Sequence, residues 1–140
     1  MDNLISEKRD SRIFLERLIA LENNFQEFYK ACSQKTEKEG LRRLFLSLCE
    51  QEKDHARRLQ EFLEHYSAIP QFREGIIEQI FPDSPQAFKW EEQMQETEEL
   101  KQLEKAMDLE LNMERLFNQA LDYTDHPDIR FLLTSLRSEA

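Results

Sequence analysis

The chain has 140 residues, with 19 Lys and Arg against 29 Asp and Glu and a formal net charge of -10. A length of this order is one domain able to bury a real core, and its acidity argues against a nucleic-acid or anionic-membrane surface, which needs clustered Lys and Arg. Two Gly, four Pro and 34% charged residues describe long helices rather than a turn-rich β fold.

Residues 1–10 are polar and lack the apolar stretch of a secretory signal. No run approaches the ~18 apolar residues of a membrane span, so a cytoplasmic location is expected. A first helix is predicted over residues 11–33, with Ser11 as its N-cap. The polar run 34–39 and Gly40 mark a short turn, and a second helix follows over 41–66. Residues 67–89 contain Pro70, Pro82, Pro85 and Gly75, which rule out one continuous helix. Their apolar piece, 76–81, is expected to form a short helix packed on the rest. A third helix is predicted from roughly Trp90 or later to Tyr123. Pro127 then opens a fourth, with Asp128 in its first turn, where a negative charge suits the helix dipole. Short turns make helices one and two antiparallel neighbours, and likewise three and four. The long middle connection joins the pairs, so the expected fold is an all-α four-helix bundle, a single domain over 1–140 with its crossover at 67–89. Cys32 and Cys49 are expected to be reduced and buried, with a disulfide as the alternative.

The seams of these helices carry the chemistry. In helix one, Leu15, Leu18, Glu22, Phe25, Tyr29 and Cys32 keep an alternating three-and-four spacing that faces a bundle interior. Helix two repeats it with Leu41, Phe45, Leu48, Glu52, His55, Leu59 and Phe62, where two neighbouring seam positions spell Glu-x-x-His. Helix three gives Leu103, Ala106, Glu110, Met113, Phe117 and Ala120, and helix four gives Ile129, Leu132, Leu136 and Glu139. Each apolar seam is thus broken by a glutamate. A lone buried carboxylate costs several kcal/mol unless it is paired or bound to a metal, so four together need an explanation. The halves of the chain also repeat: Leu21-Glu22-Asn23-Asn24-Phe25 aligns with Leu109-Glu110-Leu111-Asn112-Met113, and Phe28-Tyr29 with Leu116-Phe117.

One glutamate from each of two helices with a Glu-x-x-His from each of the other two is the ligand plan of the ferritin-like di-iron carboxylate proteins. More narrowly, Leu21-Glu22, Phe28-Tyr29 and Glu52-Lys53-Asp54-His55 resemble the erythrin domain of the rubrerythrins over nearly the whole chain. The resemblance implies Glu22 and Glu110 as terminal or bridging metal ligands, Glu52 and Glu139 as the Glu-x-x-His glutamates, and His55 as an imidazole ligand. It implies iron, two ions for a complete site, with redox chemistry on peroxide, dioxygen or ferrous iron, a link to oxidative stress, and a homodimer. The donor types themselves suit iron, manganese or zinc.

Three features depart from the pattern. The histidine expected at the next seam position after Glu139 is missing, because Ala140 is the last residue; helix four is about half the length of helix two. Either the chain is part of a longer product or one metal lacks a ligand. Rubrerythrins carry a further glutamate one turn from the helix-three ligand, whereas Met107 and Met113 flank Glu110 here and Glu114 lies off the seam. The cysteine pairs of a rubredoxin centre are also lacking, so an external electron donor is expected. The alternative reading is a helical interaction module with a degenerate metal site. His65 is expected at the surface and His126 as a cap, with Tyr29 either core or a partner of the ligands.

Overall fold

The computed structural model of the protein describes residues 2–66, 72–80 and 88–139, with side chains over 10–65, 72–80 and 88–138. Every described element is helical: α1 (Asp2–Lys35), α2 (Glu39–Tyr66), α3 (Ile76–Ile80), α4 (Trp90–Gln93), α5 (Glu99–Ala120), a 3-10 turn (Leu121–Tyr123) and α6 (Pro127–Glu139). At 1.5 Å per residue, α1 and α2 are roughly 50 and 40 Å long, α5 about 33 Å and α6 about 20 Å. None of the described helices is long and apolar enough to cross a membrane.

The turn between α1 and α2 is only three residues, so the two helices fold back and pack along their length. Arg42 Nη2 donates to the Thr36 carbonyl at 3.0 Å, and Arg42 Nη1 pairs with Glu39 at 3.2 Å. These contacts close the turn with charge-assisted bonds at a helix end that otherwise leaves its carbonyls unpaired. Apolar side chains from both helices meet inside: Phe14, Leu18, Phe25 and Phe28 of α1 and Phe45 and Leu59 of α2 are all at most 3% exposed. Gly40 lies in the first turn of α2 rather than in the connection.

The start of α1 differs from the sequence expectation. The helix begins at Asp2, and Ser11 lies inside it, 4% exposed. Its Oγ accepts from the Phe72 backbone N–H at 2.9 Å and reaches the Phe72 carbonyl at 3.5 Å. Residues 2–10 carry helix-compatible side chains and continue the helix, while the serine finds its partner across the fold. The Phe72 ring packs edge-on against Phe14 with centroids 4.8 Å apart. Three residues on, Gly75 takes a φ of 94°, a left-handed conformation that disfavours side chains, and leads into α3. Its N–H points at Asp10 Oδ2, 3.4 Å away. The Arg73 N–H bonds the Tyr123 carbonyl at 2.6 Å, so residues 72–75 tie the start of α1 to the end of α5.

The third predicted helix is interrupted. α4 ends after one turn, residues 94–98 bend, and α5 starts at Glu99. The bend buries Met94, whose Sδ sits 3.8 Å from Cys32 Sγ, and Lys35 Nζ donates to the Met94 carbonyl at 3.3 Å. Gln102 holds the bend from inside α5 through Nε2 to the Glu96 carbonyl at 2.7 Å. Thr36 Oγ1 donates to Glu99 Oε1 at 2.9 Å, so α5 begins beside the α1–α2 turn and runs toward the Ser11 end. α6 returns against α5. His126 caps it as expected, with Nδ1 accepting from the Asp128 N–H at 3.2 Å and Pro127 at the first helical position. Arg130 Nη1 satisfies the Leu121 and Thr124 carbonyls at 2.7 and 2.9 Å.

Both cysteines are free and buried. Burial pushes the Cys32 thiol up to about 12 and the Cys49 thiol above its ordinary value. His65 is exposed. Pro70, Phe81, Pro82, Pro85 and Ala140 lie outside the described residues.

The Ser11–Phe72 pair generates a prediction. Ser11→Ala strands a buried N–H, which costs about 1–3 kcal/mol. Urea unfolding should show that loss as a lower midpoint at an unchanged slope. An unchanged midpoint would mean the pair contributes nothing.

Candidate metal centre

Glu22 lies near the middle of α1, and Glu52 and His55 near the middle of α2. Three-residue spacing puts Glu52 and His55 on one face of α2 about one turn apart. Back-to-back packing of α1 on α2 then brings Glu22 against them. The three side chains are 0%, 1% and 1% exposed. His55 Nδ1 is 3.7 Å from Glu22 Oε2 and 3.9 Å from Glu52 Oε2, and one donor atom from each residue lies within 4.8 Å of the other two.

Among the described residues, these carboxylates have oxygens with no hydrogen-bond partner: both of Glu22 and Oε2 of Glu52. Buried polar atoms are almost always satisfied, so each exception needs an explanation. Burial is the main influence on Glu22 and pushes its carboxyl up to about 7; His55 beside it pulls the other way, and the nearby Glu110 adds to the rise. The donor set suits a divalent cation: two carboxylates balance its charge, an imidazole completes a mixed O/N set, and the idle oxygens supply lone pairs. On that observation the residues fit a metal ion.

Glu110 arrives from α5 and is less buried than the other three. Its two oxygens are engaged: Oε1 accepts from the Tyr29 hydroxyl at 2.7 Å, and Oε2 accepts a long 3.5 Å contact from Gln51 Nε2. Burial raises its carboxyl above the ordinary range, and the Tyr29 hydrogen bond and His55 oppose the rise. Glu110 is not among the donors that all lie within 4.8 Å of one another. Tyr29, fully buried, is held well above its usual value, first by burial and then by the Glu110 carboxylate.

Of the five residues proposed as ligands from sequence, the structure brings Glu22, Glu52 and His55 together and places Glu110 beside them on Tyr29. Glu139 is the last residue of α6, and its side chain lies outside the described residues. One turn beyond Glu110, Met113 is 2% exposed and fills an inward position with an apolar side chain, while Met107 on the other flank is exposed. Gln51 was not visible as a site residue; its only sequence signal is its place one turn before His55. A separate groove of about 380 Å³ between α2 and α6, lined by Phe62, His65, Phe131 and Leu132 among others, contains none of the clustered donors.

Buried carboxylates and an imidazole converging between packed helices place the protein in the class of helical proteins with an internal cluster of candidate metal ligands. The family model for rubrerythrin matches residues 14–139. The chain therefore belongs to the rubrerythrin family, whose domain is ferritin-like, helical and iron-binding. Neither the curated proteins nor the solved structures give a match.

The Glu22 environment fixes a pH dependence for the metal-free protein. The folded chain keeps this proton up to about pH 7, whereas an unperturbed glutamate loses it near 4.5. Folding therefore takes up a proton in that window, and the Glu22 contribution makes stability fall as pH rises from about 4.5 to about 7. Glu22→Gln removes the ionisation, so above pH 7 the metal-free variant should be more stable than the wild type by on the order of a few kcal/mol. Parallel urea titrations across pH 4.5–8 check this, and a variant with the same pH slope as the wild type contradicts it.

Proposed function

We propose that the protein is a non-haem di-iron protein of the rubrerythrin type, carrying out redox chemistry on peroxide, dioxygen or ferrous iron. The observation that carries the reading is the set of unpartnered, buried oxygens on Glu22 and Glu52 facing His55. Glu22, Glu52 and His55 hold one cation, and Glu110 joins for a second, with Glu139 as the ligand from α6. Iron held there supplies one electron per ion, so a pair matches the two-electron reduction of a peroxide. The chain's own residues do the rest. Glu22 and Glu52 supply compensating charge, His55 contributes a neutral imidazole nitrogen, and Phe25, Leu18 and Leu59 keep bulk water from the pocket. The Tyr29 hydroxyl holds its proton beside Glu110.

The proposed architecture is one domain over 1–140, a ferritin-like four-helix bundle. The direction of α5, from the α1–α2 turn to the Ser11 end, supports it: α5 then runs parallel to α2, and residues 67–89 act as the crossover between them. α6, about half as long as α2, covers part of the bundle. A cytoplasmic homodimer served by a separate electron donor completes the reading.

A second reading, a helical module with a degenerate site, is favoured by Met113, which fills an inward position one turn from Glu110 with a thioether where the family has a further carboxylate.

Anaerobic loading with ferrous iron separates the two. The di-iron reading expects close to two irons per chain and a metal-dependent rise in melting temperature; iron at about 100 times its dissociation constant adds about 2.7 kcal/mol. Glu52→Gln should weaken binding beyond the roughly 10–100-fold that loss of an outer-sphere partner costs. Iron stoichiometry near zero with an unshifted melting curve would leave the degenerate module standing.

A further inference from the structure

We propose that Tyr29 is a positioning residue that holds Glu110 away from the Glu22–Glu52–His55 pocket, so that divalent cations bind in two unequal steps, the second requiring Glu110 to leave the tyrosine. This rests on the metal-binding reading above and concerns the order and relative affinity of the two steps.

The first ground is a contrast between carboxylates. In the pocket of three, both Glu22 oxygens and one Glu52 oxygen have no donor, whereas both Glu110 oxygens have one, from Tyr29 at 2.7 Å and Gln51 at 3.5 Å. The pocket is ready for a cation as it stands; Glu110 must first give up a short bond. The second ground is that the tether is more deeply buried than the carboxylate it holds. Tyr29 is fully buried, its ring 5.7 Å from that of Phe28, while Glu110 is only partly covered. The third is that release leaves no buried donor stranded. The Tyr29 hydroxyl also lies 3.5 Å from the Ala106 carbonyl, one turn before Glu110 on α5, so it can rotate to that acceptor. Both positions of Glu110 therefore leave the hydroxyl a partner, the condition for a two-state element. The internal repeat sharpens the point: the counterpart of Tyr29 is Phe117, equally buried and without a hydroxyl, so no equivalent tether reaches Glu22.

A hydrogen bond to a charged acceptor corresponds to about tenfold to a hundredfold in an equilibrium constant. Anaerobic calorimetric titration of the full chain with ferrous ions should show two events in the wild type. Tyr29→Phe keeps the ring and removes the tether; it should tighten the second event about tenfold or more and leave the first unchanged within about twofold. Glu110→Gln should abolish the second event and retain the first. A near-ultraviolet tyrosine difference signal should accompany the second equivalent in the wild type and be absent from Tyr29→Phe, which gives a readout that a merely structural tyrosine does not move and that survives a variant failing to fold. A Tyr29→Phe titration with the second event unchanged or weaker overturns the proposal, as does a tyrosine signal on the first equivalent; either leaves the di-iron reading intact. A wild type that binds no ferrous ion removes the reading itself and the proposal with it.

Discussion

The rest of the molecule is arranged around two carboxylates that have been taken out of water with too little put in its place. Glu22 and Glu52 sit on seams that also carry Leu18, Phe25, Phe45 and Leu59, and the His55 imidazole stands 3.7 and 3.9 Å from them. An uncompensated buried charge costs several kcal/mol. The metal-free chain reduces that cost by keeping the Glu22 proton up to about pH 7. A divalent cation would remove it altogether. Meanwhile the helices must tolerate the strain, and a fully buried Leu or Phe contributes roughly 1.5–3 kcal/mol each. A handful along the α1–α2 seam therefore outweighs the carboxylates, which is how the pocket stays formed before any ion arrives.

That stabilisation is unevenly distributed. α1 and α2 supply three of the clustered donors and pack against each other along their length, so the Glu22, Glu52 and His55 geometry depends on one helix pair. Glu110 depends on a third helix whose height is set at its two ends. Thr36 with Glu99 fixes the start of α5, and the Arg73 N–H on the Tyr123 carbonyl fixes its end, with Ser11 and Asp10 holding residues 72–75 to α1. Between these ties, α5 presents Glu110 to Tyr29, 81 residues away in sequence. The more local part of the site is fully buried; the more distant part is half-covered and held by a hydrogen bond.

The same division explains what could be read from the sequence. Periodicity along one helix says which side chains share a face, so Glu22, Glu52 and His55 were legible as inward positions, as were the four main helical segments and the His126 cap. Contacts between helices depend on their relative rotation and height, which periodicity does not carry. Ser11 looked like a helix start because serine at the head of an apolar pattern usually is one; its partner, the Phe72 backbone, is 61 residues on. The break before α5 was equally invisible, since it arises from burying Met94 against Cys32 and not from a Pro or Gly. Gln51 belongs to the same category, whereas Tyr29 was readable as either core or a partner of the ligands, though not as the partner of Glu110. The Glu139 side chain lies outside the described residues, so the ligand expected from α6 stays a proposal.

The internal repeat supplies the last step. Glu22 and Glu110 occupy equivalent places in the two halves, and an exact repeat would give them equivalent surroundings. Among the ways their surroundings differ is one oxygen atom. Tyr29 follows Glu22 by seven residues and reaches Glu110, whereas Phe117 follows Glu110 by seven and has nothing to offer Glu22. A single hydroxyl thus accounts for why one carboxylate has a short hydrogen bond while the other has two idle oxygens. The next inward positions, Phe25 and Met113, are both apolar and leave that difference as it stands. Two like positions of a repeated helix pair thus acquire unlike surroundings, one with a short hydrogen bond and one with idle oxygens.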